Sequence, residues 1–140
     1  KAEILSEGED ITILTYGTLF NEALTAAKIL KAKGRSVGII NLRTLKPVDR
    51  EAIENVCRNS NLIVTLEDHF IIGGLYSILS ELLVIKRINA RVLPIALNNK
   101  WFKPALLKDV LEYEGFTGEA IADKIIKHEQ EKHIATEYFY

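Results

Sequence analysis

Apolar residues along the chain fall into two alternating patterns. Unbroken apolar or β-branched runs at residues 11–16 (ITILTY), 37–42 (VGIINL), 61–66 (NLIVTL) and 91–97 predict buried strands. Between them, apolar positions recur every three or four residues, the period of a helix that buries one face. Phe20, Ala23, Leu24, Ala27 and Leu30 mark a helix that starts with Thr18 as N-cap, runs to about Lys33 and ends at Gly34. Asp49 caps a second helix, which runs to about Asn59. A third runs from about Leu75 to Arg87 and packs through Leu75, Ile78, Leu79, Leu82 and Leu83. A short strand at residues 2–6 precedes a turn at Gly8–Asp10, and helices are predicted near residues 105–111 and 117–133.

Apolar strands alternating with amphipathic helices imply an α/β domain whose sheet is parallel and covered on both faces. Its crossovers are then right-handed, which leaves few topologies. Sequence order alone would pair residues 2–6 with 11–16 as a hairpin. The predicted domain spans 1–133, and residues 134–140 form an aromatic tail. Because the chain opens with Lys1 and passes straight into strand-like residues, it is expected to be a piece of a longer polypeptide.

Composition narrows the function classes. The 18 basic and 19 acidic residues of this 140-residue chain leave a net charge of −1. No positive excess exists to hold a phosphate backbone, so nucleic acid is not an expected partner. No apolar run approaches the roughly 20 residues of a membrane span, and residues 1–17 lack the basic-then-apolar pattern of a signal peptide. The single cysteine, Cys57, falls in a predicted helix and reads as a small buried apolar residue. The cytoplasm is the compartment expected by default.

In a parallel sheet the strand-to-helix loops emerge at one edge, where ligands and partners of such sheets meet the protein. Three loops compete there. Tyr16-Gly17-Thr18 joins a strand to a helix N-terminus but has no phosphate-loop signature. The segment 41–49 (NLRTLKPVD) carries Arg43 and Lys46, which suit either a solvated rim or an acidic or phosphate-bearing partner. The segment 67–74 (EDHFIIGG) places Glu67, Asp68 and His69 just past a buried strand. A carboxylate beside His69 would favour a general acid or base, yet an interface role suits the segment better. Gly73 and Gly74 allow a sharp turn and the close approach of another chain or ligand. His128 and His133 are five apart and cannot share a helix face as zinc ligands do. Neither a CxxC pair nor a GxSxG nucleophile motif occurs.

Residues 41–49, followed some twenty residues later by Leu-Glu-Asp-His-Phe-Ile-Ile-Gly-Gly-Leu (66–75), resemble the C-terminal domain of transketolase-type enzymes. The opening segment 1–18 and the segment 113–121 (YEGFTGEAI) are similar to the start and close of that domain. The likeness spans about residues 1–127 and is nearest to separately encoded transketolase C-terminal sections and dehydrogenase beta subunits. It is less near to deoxyxylulose-phosphate synthase. Where the family commonly has two glutamates this chain has Glu67-Asp68, and a small residue after Leu75 is replaced by Tyr76.

The resemblance implies a three-layer α/β/α fold with a five-stranded, mostly parallel sheet of order 1-3-2-4-5, strand 1 antiparallel. It also implies a division of labour. Thiamine diphosphate and Mg2+ would be bound by pyrimidine-binding and pyrophosphate-binding domains elsewhere in the enzyme, and no catalytic, cofactor or metal residue would lie on this chain. Thr18, Arg43, Lys46, Glu67, Asp68, His69, Gly73 and Gly74 would form an interdomain or dimer rim. The leading expectation is the non-catalytic, dimer-forming part of a transketolase that moves a two-carbon ketol unit between sugar phosphates. Two alternatives stand beside it: the same domain of a 2-oxoacid dehydrogenase beta subunit or oxidoreductase, and a stand-alone module binding a small ligand at the helix N-termini near Thr18 and Gly74.

Overall fold

A computed structural model describes residues 1–98 and 103–138, with side chains described to residue 131. Five strands form one sheet: β1 (Glu3–Ser6), β2 (Ile11–Thr15), β3 (Val37–Asn41), β4 (Leu62–Phe70) and β5 (Val92–Leu97). Their order is β1-β3-β2-β4-β5. β1 runs antiparallel to β3, and the other neighbours are parallel. The expected architecture is thus observed, and the hairpin suggested by sequence order is not formed.

Close backbone contact explains the departure. The β1–β2 connection passes over the start of β3, where a side chain on Gly8 would lie 2.1 Å from the Gly38 backbone nitrogen. That crossing delivers β2 to the middle of the sheet, flanked by β3 and β4. All five residues of β2 are buried, as its continuous apolar run requires.

Side-chain alternation sorts the strands onto two apolar layers. Ile11, Ile13, Val37, Ile39, Leu62, Val64 and Leu66 face α1 (Phe20–Ala32) and α5 (Gly118–Tyr138). Leu14, Ile40 and Ile63 face α2 (Arg50–Asn59) and α3 (Leu75–Lys86), through Ile53, Cys57, Leu75, Leu79 and Leu82. Burying each of these aliphatic side chains contributes roughly 1.5–3 kcal/mol. A shorter helix, α4 (Leu107–Glu114), leads into α5 and packs Leu111 against the first layer.

Local signals set most boundaries. Gly34 has φ +83° and closes the turn after α1. The Asp49 carboxylate accepts from Ala52 N at 3.2 Å and caps α2. Thr18 does not cap α1, because residues Gly17–Leu19 form a 3-10 turn and Leu19 precedes the helix without a side-chain cap. The third parallel strand does not stop at Leu66 either: β4 continues to Phe70, so Glu67, Asp68 and His69 are strand residues. Helical backbone in α5 extends to Tyr138, past the position where the sequence ends the domain. Residues 139–140 of the expected tail lie outside the described residues.

Candidate functional site

The C-terminal ends of β2, β3 and β4 lie level, since Thr15 pairs with Asn41 on one side and Leu66 on the other. The next residues therefore meet at one edge. Leu42 N donates to Thr15 O at 2.8 Å and prolongs the ladder by one bond. Thr18, Arg43, Lys46, Asp68, His69 and Gly73 are all exposed on the segments leaving this edge, while Glu67 and Gly74 are buried beneath it.

Two of the segments are joined directly. Thr18 Oγ1 donates to Asp68 Oδ2, linking the turn after β2 to the end of β4. The hydroxyl expected to cap a helix thus holds a neighbouring strand instead. On the third segment, Arg43 Nη2 reaches the Glu3 carboxylate on β1 at 3.4 Å, directed away from Asp68 and towards the sheet's outer edge. Lys46 stands exposed before Pro47, to which it is joined by a cis peptide bond. The same segment carries Asp49, whose second oxygen accepts from Ala2 N at 2.9 Å. These two backbone N–H bonds hold the Asp49 carboxyl below the ordinary carboxylate range.

Glu67 overturns its expected place. Instead of standing on an exposed loop it is fully buried, with 0% of its surface accessible. The reason is alternation along β4: Ile63, Thr65 and Glu67 share the face that packs on α3. Glu67 Oε2 accepts from Leu75 N in the first turn of α3, while Oε1 and the Thr65 hydroxyl oxygen have no partner among the described residues. Burial pushes the carboxyl up to about 7, against the opposing pull of the Leu75 N–H and His69, with Asp68 adding to the rise. The same burial, reinforced by Glu67 and Asp68, pushes the Tyr16 hydroxyl up to about 12.

The paired glycines serve this carboxyl. Gly73 turns at φ +85°, a region that L side chains rarely enter. A Cβ on Gly74 would lie 2.2 Å from Glu67 Oε1, so the space opened by that glycine is filled by the chain's own carboxyl. The turn is tied a second time by Ser77, whose hydroxyl accepts from Gly73 N at 2.8 Å and donates to Ile71 O at 3.2 Å. Neither Tyr16 nor Ser77 stands out in the sequence as a site residue. A serine in the first turn after a glycine pair was the available signal for Ser77.

His69 is exposed. Its Nδ1 lies 3.3 Å from Phe70 O, and its ring meets Phe70 edge-on at 5.7 Å between centroids. Glu67 feels its charge but is buried, so the pair does not form an open acid–base couple. No group of three or more metal-binding side chains occurs among the described residues.

The larger described cleft, of about 520 Å³, lies at the opposite edge between β1 and α2. Its hydroxyls are engaged internally: Thr12 and Ser60 are 2.6 Å apart, and Ser60 donates to Gly8 O at 2.7 Å.

A family model described as transketolase, C-terminal domain, matches residues 1–121. The 1-deoxy-D-xylulose-5-phosphate synthase of Dictyoglomus thermophilum is 39% identical over 126 residues, covering 90% of this chain and 20% of the relative. The "Putative transketolase C-terminal section" of Methanocaldococcus jannaschii is 38% identical over 127 residues, covering 91% of this chain and 39% of the relative. A solved split-gene transketolase, described as an inactive β4 tetramer, superposes with a TM-score of 0.82 at 32% identity. That match covers 91% of this chain and 41% of the solved one. The chain therefore spans between a fifth and two-fifths of these relatives. The expectation of a lesser likeness to deoxyxylulose-phosphate synthase is corrected, because the synthase and the transketolase section are equally similar.

Proposed function

Because the chain belongs to the transketolase C-terminal domain family, we propose that it is the domain-packing part of a larger thiamine-diphosphate-dependent enzyme of the transketolase type. The observation that carries this reading is the level rim, where the ends of β2, β3 and β4 offer one surface to a neighbouring domain or subunit. Ile72 stands 71% exposed on the segment after β4, and Asp68, His69, Arg43 and Lys46 are exposed along the same edge, a mixture of apolar and charged groups that suits a domain interface. The start of β1 supports the same side, since Ala2 is bonded to Asp49. A polypeptide leading into β1 from another domain would arrive at this edge.

Thiamine diphosphate belongs to the other domains in this reading, because the described residues here do not fit it. A helix N-terminus is the natural seat for a diphosphate. At α3 that seat is taken by the chain's own Glu67 carboxyl, and the hydroxyl of Thr18 is committed to Asp68. The same two facts weigh against a stand-alone module binding anions at those termini. The isolated chain is accordingly inactive in this proposal. It works in the cytoplasm, and copies of it associate as part of the assembled enzyme.

The reaction proposed for the assembly is transfer of a two-carbon ketol unit between sugar phosphates. The similarity to the Dictyoglomus synthase favours a second reading, formation of 1-deoxy-D-xylulose 5-phosphate. Combining the chain with the pyrimidine- and pyrophosphate-binding domains of the same enzyme, and identifying the sugar phosphate formed, separates the two. Activity restored by this chain supports the domain reading. Full activity of the other domains without it, or with an Asp68→Lys chain that no longer associates, would refute it.

A further inference from the structure

We propose that Glu67 is a proton-linked latch, which closes the turn at residues 71–74 and the first turn of α3 while its carboxyl is neutral and releases them when it ionises. Three geometric facts place the latch. The carboxyl is fully buried. One oxygen is held by Leu75 N, and the other has no partner among the described residues. A Cβ on Gly74 would lie 2.2 Å from that second oxygen, so the glycine leaves the room the oxygen fills.

A neutral carboxyl tolerates this seat. An ionised one carries a buried charge supported by the N–H groups of Leu75 and Tyr76 at the helix end, with no cation bonded to it among the described residues. The titratable groups facing it are Asp68 and His69 on β4 and Tyr16 at the end of β2. Asp68 opposes ionisation, and His69 in its charged form assists it. Water is the cheapest remaining partner for the anion, and the turn lies directly against the carboxyl at Gly74. That turn bends at Gly73, with φ +85°, and is tied by the Ser77 hydroxyl. Opening then releases the proton that the closed form retains.

The test is amide hydrogen exchange on the full chain as a function of pH, corrected for the base-catalysed rate of an open amide. Opening at Leu75 and Tyr76 is expected to increase with pH between about 4.5 and 7, by up to about tenfold per pH unit for one linked proton, and to level off above about 7. The core amides of β4 serve as the reference. In Glu67→Gln the dependence is expected to vanish. A flat profile in the unaltered chain overturns the proposal. So does a slope that survives in E67Q and disappears in H69N, which assigns the effect to the imidazole. Should E67Q fail to fold, the Glu67 carboxyl carbon shift in the unaltered chain decides. A midpoint between about 6 and 8 that coincides with the pH at which opening levels off supports the latch, and a midpoint below about 5.5 overturns it.

Discussion

Glu67 and Gly74 share one volume: the carboxylate of the first occupies the place where a side chain on the second would begin, 2.2 Å from Oε1. Strand and helix N-terminus are thereby fixed to each other through a pair seven residues apart. Gly74→Ala is expected to destabilise the chain by about 1–3 kcal/mol, because the carboxyl must leave Leu75 N to make room. Urea unfolding measures this. The penalty is expected to shrink in a Glu67→Ala background, where the displaced group is gone; an unchanged penalty would place the clash elsewhere.

Global stability should carry the same carboxyl's signature. Its folded-state pKa of about 7 lies above its ordinary 4.5, so the folded chain binds the extra proton between those values. The stabilisation is complete below about 4.5 and is lost as pH rises through about 7. Comparing urea unfolding at pH 5 and pH 8, the unaltered chain is expected to lose about 2.5 kcal/mol more than E67Q does.

Asp49 has the opposite sign. Its pKa is lowered by the N–H groups of Ala2 and Ala52, so its contribution is present above the unfolded carboxylate value and is lost as pH falls through the folded one. Asp49→Ala is expected to cost about 1–2 kcal/mol at pH 7, and the difference from the unaltered chain should close in acid. Thermal or urea unfolding at the two pH values checks it.

Cys57 faces the α2–α3 layer with 4% of its surface exposed, and burial pushes its thiol up to about 11. Thiolate is the reactive form. At pH 8 a thiol reagent is expected to modify the folded chain far more slowly than the urea-unfolded chain. Equal rates would contradict the packing.

The Thr18–Asp68 bond is exposed, so Thr18→Val is expected to change folding stability by less than about 1 kcal/mol. If the rim receives another domain, the same change should weaken that association measurably. Unfolding and binding measured on one preparation distinguish the two effects.

Much of this was written in the chain itself. Continuous apolar runs specify strands buried on both faces, helical spacing specifies covering helices, and Gly34 and Asp49 announce ends and caps, because each of these is a local preference of backbone or side chain. Segments 41–49 and 66–75 likewise carry the family resemblance, and their lying at one edge follows from parallel strands. Tertiary structure decided the rest. Pairing β1 with β3 depends on the meeting of Gly8 and Gly38, thirty residues apart in sequence, which no local pattern encodes. The extension of β4 through charged residues 67–69 is carried by the pairing of Phe70 with Leu97 on β5, and α3 offers an N–H to the buried Glu67. A buried carboxyl is stable only when partners come to it, and those partners are set by packing, so the sequence alone put Glu67 on the outside.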